Sequence, residues 1–484
     1  MSEEAAKIGL EVHCQLTALK TKLFCGCDAD YREKPPNTVV CPACLGLPGA
    51  LPVLNRRAVD FALMVGLALE CEVPKVASFY RKNYYYPDLP KNFQISQYDR
   101  AGGIPIGTNG RLKFAAGKEP RTVTIRRIQL EEDPGKLHYA GTIDTSAFTL
   151  VDYNRSGVAL LEIVTEPELN SPREARFFLQ KLRSTLEHLG VSDGSLEGAM
   201  RCDANVSVAG GSKIEVKNIS SFKEVERALT FEAMRQRDLV KRGGIVKAET
   251  RHWDELRRVS VALRTKEEEQ DYRYFPEADL ALVTIPEHKL EALRKALPEL
   301  PDARKQRFTR QYQLPEYDAE FLTSDRSLAD FFENTAAVYP KAKPIANWLM
   351  GDVLQCLYSL DVEISRCKMT PKHLAEMLTL IDQGTVSVKI AKKILWDIFK
   401  TGKTPSNIIR EKGLVRIVDA EVLEELIGKV FAENEQAVRD ALTDEKAVNY
   451  LVGKLMEATK GRADPALSNK LIRGRIEKLK GAPG

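Results

Sequence analysis

Cys25 and Cys27 form a CxC pair near the start of the chain, and Cys41 and Cys44 form a CxxC pair shortly after. Two short cysteine pairs joined by a loop can present four thiolates to one ion, each pair gripping one side of a tetrahedron. Zinc is the reading this spacing favours; reduced structural thiols and disulfides are the alternatives. Pro35, Pro36 and Asn37 lie in the loop that must bring the pairs together. Four thiolates leave no open coordination position, so such a centre staples a fold rather than carrying out a reaction.

A second set of groups sits on strand-like segments. From Lys7 to Leu16 the chain alternates, with Ile8, Leu10 and Val12 on one face and Glu11 and His13 on the other. From Arg121 to Leu130, Val123 and Ile125 keep one phase and Ile128 and Leu130 the other, which predicts a bulge near Arg126 and Arg127. The acidic run Glu131-Glu132-Asp133 follows. Between Cys202 and Lys217, Ala204, Val206 and Val208 alternate with Asp203, Asn205 and Ser207, and Ile214 and Val216 with Glu215 and Lys217. A hairpin with a three-residue loop would set Val208 opposite Ile214 and Asn205 opposite Lys217. Its polar face then carries Asp203, Asn205, Glu215 and Lys217. Alone, that face reads as a solvated one with cross-strand charge pairs. Combined with Glu11, His13 and the Glu131-Glu132 pair, it offers oxygen ligands for Mg²⁺ and a lysine for a polyphosphate.

The elements that position these groups divide the chain. Residues 1–294 mix strand and helix signals. Within them, Ser171, Pro172 and Glu174 predict the capped start of a helix whose stripe is Phe178, Leu182, Leu186 and Leu189 and whose stop is Gly190. Residues 295–405 read as all helical, with starts at Thr370-Pro371 and near Ser387. Thr401 to Ser406 reads as a linker, and 406–484 as a small, charged, helical tail. The fold class is α+β.

Composition narrows the class. The chain has 484 residues, 43% of them hydrophobic, and a formal net charge of only +4, which neither demands nor excludes nucleic acid. Lys470, Arg473, Arg475, Lys478 and Lys480 face Glu477 alone, and Lys389, Lys392, Lys393, Lys400 and Lys403 face Asp397. Both clusters read either as solvated helix faces or as phosphate contacts. The N-terminal segment lacks a signal-peptide pattern, no apolar run is long enough to span a bilayer, and Cys14, Cys71, Cys202, Cys356 and Cys367 are scattered. These features predict a cytoplasmic protein with no membrane association. There is no GxxxxGK[ST] phosphate loop and no GxSxG elbow, and His138, His188, His252, His288 and His373 stand apart as ordinary histidines.

Many blocks in order carry a family resemblance. They are Ile8-Gly9-Leu10-Glu11-Val12-His13, the two cysteine pairs, Cys44-Leu45-Gly46-Leu47-Pro48-Gly49, Arg81-Lys82-Asn83-Tyr84-Tyr85-Tyr86-Pro87-Asp88 and Glu131-Glu132-Asp133-Pro134-Gly135-Lys136. Asp152-Tyr153-Asn154-Arg155-Ser156-Gly157, Leu161-Glu162-Ile163-Val164, Arg201-Cys202-Asp203-Ala204-Asn205, Glu215-Val216-Lys217-Asn218 and Asp271-Tyr272-Arg273-Tyr274-Phe275-Pro276-Glu277 follow, with Lys460-Gly461-Arg462 in the tail. Across essentially its whole length the chain resembles the B subunits of the glutamyl/aspartyl-tRNA amidotransferases. The resemblance implies a glutamine-synthetase-like cradle domain with a zinc staple, followed by helical and tail domains that bind tRNA. It implies ATP-dependent activation of the side-chain carboxylate of Glu on tRNA(Gln) or Asp on tRNA(Asn), then displacement of phosphate by ammonia. The ammonia would come from a partner amidase subunit, with a small third subunit clasping the two.

The same resemblance carries site roles onto Glu11, His13, Glu131, Glu132, Asp203, Asn205, Glu215 and Lys217. Glu11, His13 and one of Glu131 and Glu132, taken as Glu131, would hold Mg²⁺. Arg155, Glu162, Glu197 and Arg264 are further candidates for the nucleotide. Glu197 sits in Glu197-Gly198-Ala199-Met200, where the family commonly has Glu-Gly-Ser-Leu, which weakens its case. Two other readings compete. A non-catalytic tRNA-binding adaptor suits the basic tail but not the clustered acids, which repel phosphate unless neutralised. An aminoacyl-tRNA synthetase lacks support because neither HIGH nor KMSKS is present.

Overall fold

The structure is a computed structural model that describes residues 6–117, 119–141, 146–208, 211–265, 272–414, 417, 419–459 and 462–480. Gly210, Asp271, Lys460, Gly461 and the side chain of Arg264 lie outside the described residues. The chain forms two compact units, Met1–Ala303 and Arg304–Gly484. The fold is mixed, with one large sheet and many helices.

The first unit is built on an eight-stranded sheet. Its order is Val259–Thr265, Glu249–Asp254, Ile214–Ile219, Met200–Ser207, Lys7–Gln15, Ala159–Thr165, Glu119–Glu132 and Gly107–Ala116. The alternating Lys7–Gln15 segment is a central strand, paired antiparallel on both sides. Its Ile8, Leu10, Val12 and Cys14 are buried in the main apolar core. That core includes helices Pro172–Leu189 and Phe222–Lys241, which cover this face of the sheet. The second helix also makes the crossover that a parallel pair requires, here Ile214–Ile219 beside Glu249–Asp254.

The expected helix over 171–190 is present as Pro172–Leu189, with Ser171 accepting from the Glu174 amide and Gly190 ending it at φ 70°. Phe178, Leu182, Leu186 and Leu189 are all buried. The capping box differs in one detail: the Glu174 carboxylate accepts from the amide of Asn170 at 2.9 Å. The phase slip in Glu119–Glu132 is a register shift between Ile125 and Arg127, as the apolar pattern requires.

The hairpin register differs from the expected one. Val206 pairs with Ile214 and Asn205 with Glu215. Val208 has left the ladder, because its amide donates to Gln236 Oε1 at 3.2 Å on the covering helix. The shift is two residues, so every side chain keeps its face.

The second unit is helical. Thr370 and His373 cap Pro371–Asp382 reciprocally, and Ser387 caps Val388–Thr401. The segment expected as a linker is a tight turn: Gly402 ends one helix at φ 70° and Thr404 caps the next, Pro405–Lys412. Ile408 and Ile409 of that helix join the core of Phe332, Leu374 and Ile394. A separate core of Leu423, Ile427, Leu451, Leu455 and Ile472 lies beyond it. Among the described residues, no helix is long and apolar enough to cross a membrane.

Candidate functional site

The face of the sheet opposite the covering helices is polar. On the central strand, Glu11 and His13 stand on it, because their neighbours Leu10 and Val12 point into the core. Glu162, on the adjacent strand, pairs with His13. His13 Nε2 lies 3.7 Å from Glu11, 3.8 Å from Glu131 and 4.0 Å from Glu162. Ligand atoms of Glu11, His13 and Glu162 all fall within 4.8 Å of one another. On the other side of the central strand, Lys217 Nζ donates to Asp203 at 2.9 Å and stands 3.6 Å from Glu215. Thr250 Oγ1 donates to Glu215 at 3.0 Å. Asn205 Oδ1 is buried, and among the described residues none donates to it.

Crowding and burial set the ionisation of these acids. Burial pushes Glu131 up to about 7, against the opposing pull of Lys82 and a hydrogen bond from Ser96. Burial likewise pushes Glu162 up to about 7, helped by the charges of Glu11 and Glu131. Glu11 goes the other way: burial opposes its ionisation, but His13, Lys217 and Lys82 outweigh that and hold its carboxyl below the usual range. Buried carboxylates in excess over cations, with an imidazole between them, form a donor set that suits a hard divalent cation. The residues therefore fit Mg²⁺.

Several expected site residues stand elsewhere. Glu132 points to the opposite side from Glu131, as adjacent strand residues must. There it bonds Lys91 Nζ at 2.5 Å and the Ile95 amide at 2.9 Å. It lines a cavity of about 170 Å³ together with Cys25, Cys44, Arg81 and Lys91. Arg155 donates to the carbonyls of Pro134 and Gly135 at 2.9 and 2.7 Å and stands 3.8 Å from Asp133, so backbone and a buried acid already occupy its guanidinium. The Glu197 side chain is 84% exposed and pairs with Lys136. Its turn, ending at the edge of the Met200–Ser207 strand, keeps it out of the cluster.

Lys82 was not singled out by the strand reading. It lies on the short strand Tyr80–Asn83, its ammonium 4.8 Å from the centre of the Tyr272 ring. Burial opposes its charge, but Tyr84, Glu131, Tyr272 and Glu162 together raise its pKa. A four-residue strand gives too little periodicity to assign a face. The same holds for Ser96, whose hydroxyl donates to Glu131 at 2.9 Å.

The four cysteines converge. Cys25, Cys27, Cys41 and Cys44 place their sulfurs within 4.8 Å of one another, and none is in a disulfide. Tetrahedral zinc–thiolate bonds of about 2.3 Å put sulfurs roughly 3.8 Å apart, so the set fits one ion. Asn37, Asn154 and Ser156 tie this knuckle to the segment leading into the Glu162 strand.

Four of the ten basic side chains in the two clusters are tied into the fold. Lys392 pairs with Asp352, Lys403 with Glu411 and Arg473 with Glu445, while Arg475 donates to the Glu424 carbonyl.

Comparison with known proteins gives one consistent answer. Residues 6–291 match the GatB/GatE catalytic domain, and residues 330–476 match the GatB domain. A relative from Sulfolobus acidocaldarius, an aspartyl/glutamyl-tRNA(Asn/Gln) amidotransferase B subunit, is 53% identical over 97% of this chain and 99% of its own length. Proteins of the same name from Carboxydothermus hydrogenoformans and Thermotoga maritima are 48% and 49% identical, over 99% and 97% of this chain and 100% and 98% of theirs. The chain belongs to the family of aspartyl/glutamyl-tRNA(Asn/Gln) amidotransferase B subunits.

Proposed function

We propose that this chain is the tRNA-binding, carboxylate-activating subunit of an amidotransferase that converts Asp-tRNA(Asn) to Asn-tRNA(Asn), Glu-tRNA(Gln) to Gln-tRNA(Gln), or both. It works in the cytoplasm with an amidase subunit that releases ammonia from glutamine and with a small third subunit. The observation that carries this reading is the meeting of Glu11, His13, Glu131 and Glu162 from three adjacent strands on one polar face.

On this reading residues 1–294, within the sheet unit, are a glutamine-synthetase-like cradle. Glu11, His13 and Glu131, with Glu162 beside them, would hold Mg²⁺, which when bound supplies positive charge to a polyphosphate. Lys217 and Lys82 stand at the rim of the acids and offset charge on the transferring phosphoryl group. The substrate's side-chain carboxylate is the nucleophile: its oxygen bonds the γ-phosphorus of ATP and ADP leaves. Ammonia then bonds the acyl carbon, phosphate departs with the carbon–oxygen bond, and the nitrogen gives up a proton. Asn205 Oδ1, buried with no donor among the described residues, would accept from a substrate N–H or O–H. The four cysteines hold zinc and fix the knuckle. The helices after residue 294, including Pro405–Lys412, and the charged tail beyond them bind the tRNA. The basic side chains not consumed by internal pairs, such as Lys389 and Lys470, supply phosphate contacts.

The test uses the complex with its amidase and small subunits, each misacylated tRNA in turn, and ammonium chloride in place of glutamine. The amino acid released from the tRNA is identified with ATP and Mg²⁺ present or omitted. ATP-dependent Gln or Asn is expected and names the substrate. Tight tRNA binding without amide formation or ATP consumption would leave the adaptor reading standing.

A further inference from the structure

Lys22 precedes the first cysteine pair and is 0% exposed. Its Nζ donates to the Val39 carbonyl at 2.8 Å and reaches Cys44 Sγ at 3.8 Å. Among the described residues no carboxylate pairs with it. An ammonium withdrawn from water without a counter-ion is strongly disfavoured. Lys91, the more buried of the neighbouring paired lysines, has Glu132, and the part-exposed Lys217 and Arg201 have Asp203 and Asp133. The anionic group within reach of Lys22 is the sulfur cluster.

The surroundings are closely built. Cys44 Sγ also accepts from the Cys41 amide at 3.1 Å, so two N–H donors converge on this sulfur. Asn154 Oδ1 accepts from the Val39 amide at 2.7 Å, fixing the carbonyl-bearing segment that holds the ammonium. Gly157, at φ +85°, closes the other side: a Cβ there would stand 3.4 Å from Cys44 Cβ and 3.6 Å from Lys22 Cδ. The pocket is shaped around the lysine stem.

We propose that Lys22 is the buried counter-ion of a four-thiolate metal centre, a positioning residue that retains the metal by offsetting thiolate charge and donating to Cys44. The inference rests on the zinc reading of the cysteines. Four thiolates around one divalent ion carry a net charge of about −2, and an ammonium beside them offsets half of it. Donation to a ligand sulfur also lowers its nucleophilicity, so the centre resists protonation, alkylation and metal loss.

The experiment compares the complex carrying wild-type chain, Lys22→Met and Lys22→Arg. Met keeps most of the length and volume without the charge, and Arg keeps the charge. Zinc per complex is measured first, then the rate of zinc transfer to a chromogenic chelator, alongside thermal melting. Lys22→Met should release zinc at least about tenfold faster than wild type, and Lys22→Arg should recover most of that loss. Release from Lys22→Met at the wild-type rate, or equal release from Met and Arg variants, overturns the proposal. Should Lys22→Met fail to fold, amine acylation of the wild-type complex decides. Lys22 should be protected while zinc is bound and labelled once the chelator has removed it; labelling that ignores the metal overturns the proposal. A wild-type complex prepared with zinc present that holds none would refute the metal reading itself, and the proposal with it.

Discussion

The cysteine knuckle and the acid–histidine face of the sheet are both made of metal-capable side chains, yet they are assembled in opposite ways. The knuckle draws all four sulfurs from residues 25–44, and local turns bring them together. The acid face draws Glu11 and His13, Glu131, and Glu162 from three strands far apart in sequence, and only sheet order makes them neighbours. Four sulfurs would saturate a tetrahedral ion held there. The acid face keeps carboxylates that burial holds near neutrality, with a histidine and two lysines at hand. A locally built, closed centre serves the fold. A centre assembled by topology and left open can meet a substrate.

The contrast can be broken most sharply by mutation. His13→Ala or Glu11→Ala should lower ATP-dependent amide formation by at least about 100-fold, with tRNA affinity within about twofold. Rates and binding curves on the same preparation check this; equal loss of both would assign these residues to folding. Cys44→Ser should act on stability instead, costing about 3 kcal/mol in the sheet unit as zinc is lost. Denaturant melts with parallel zinc analysis read this out, and a variant that keeps its stability but loses activity would reverse the assigned roles.

A pH effect of intermediate size should separate the two regions further. Glu131 and Glu162 are raised from 4.5 to about 7 in the folded chain. Between those values the folded state holds more protons than the unfolded state. Their contribution to stability is therefore fully present below about pH 4.5 and lost as pH rises through about 7. Without added Mg²⁺, the fall in melting temperature from pH 5.5 to pH 8 should be smaller in Glu131→Gln/Glu162→Gln than in wild type. An identical slope would remove these groups from the account. Glu197→Ala should change amide formation by less than about twofold, since an exposed ion pair with Lys136 contributes little. A large loss there would bring the turn at Glu197 into the site.

What could be read from the sequence follows the same division. The cysteine spacing is a local signal, and the sulfurs do meet. Alternation puts Glu11 and His13 on one face of their strand and Asp203, Asn205, Glu215 and Lys217 on one face of the hairpin, but does not show that the two sets meet; the hairpin face survives a two-residue difference in register, because faces repeat every second residue. The register itself was hidden, since Val208 is drawn out of the ladder by Gln236, a partner 28 residues away. Adjacent acids could not be ranked from sequence; the strand's pleat turns Glu131 to the cluster and Glu132 to Lys91. The resemblance offers Arg155 for the nucleotide, and no sequence pattern reveals the backbone carbonyls of Pro134 and Gly135 that its guanidinium bonds. The apparent linker at 401–406 was a helix stop followed directly by a helix start, which composition alone does not distinguish from a boundary.

On the proposed function, the acid–histidine face phosphorylates the substrate's side-chain carboxylate. The most direct test charges tRNA with glutamate or aspartate carrying ¹⁸O in the side-chain carboxylate and supplies the complex with ATP, Mg²⁺ and ammonium. One labelled oxygen is expected in each phosphate released per amide formed, with loss of both products in His13→Ala. Amide formation accompanied by unlabelled phosphate would contradict it.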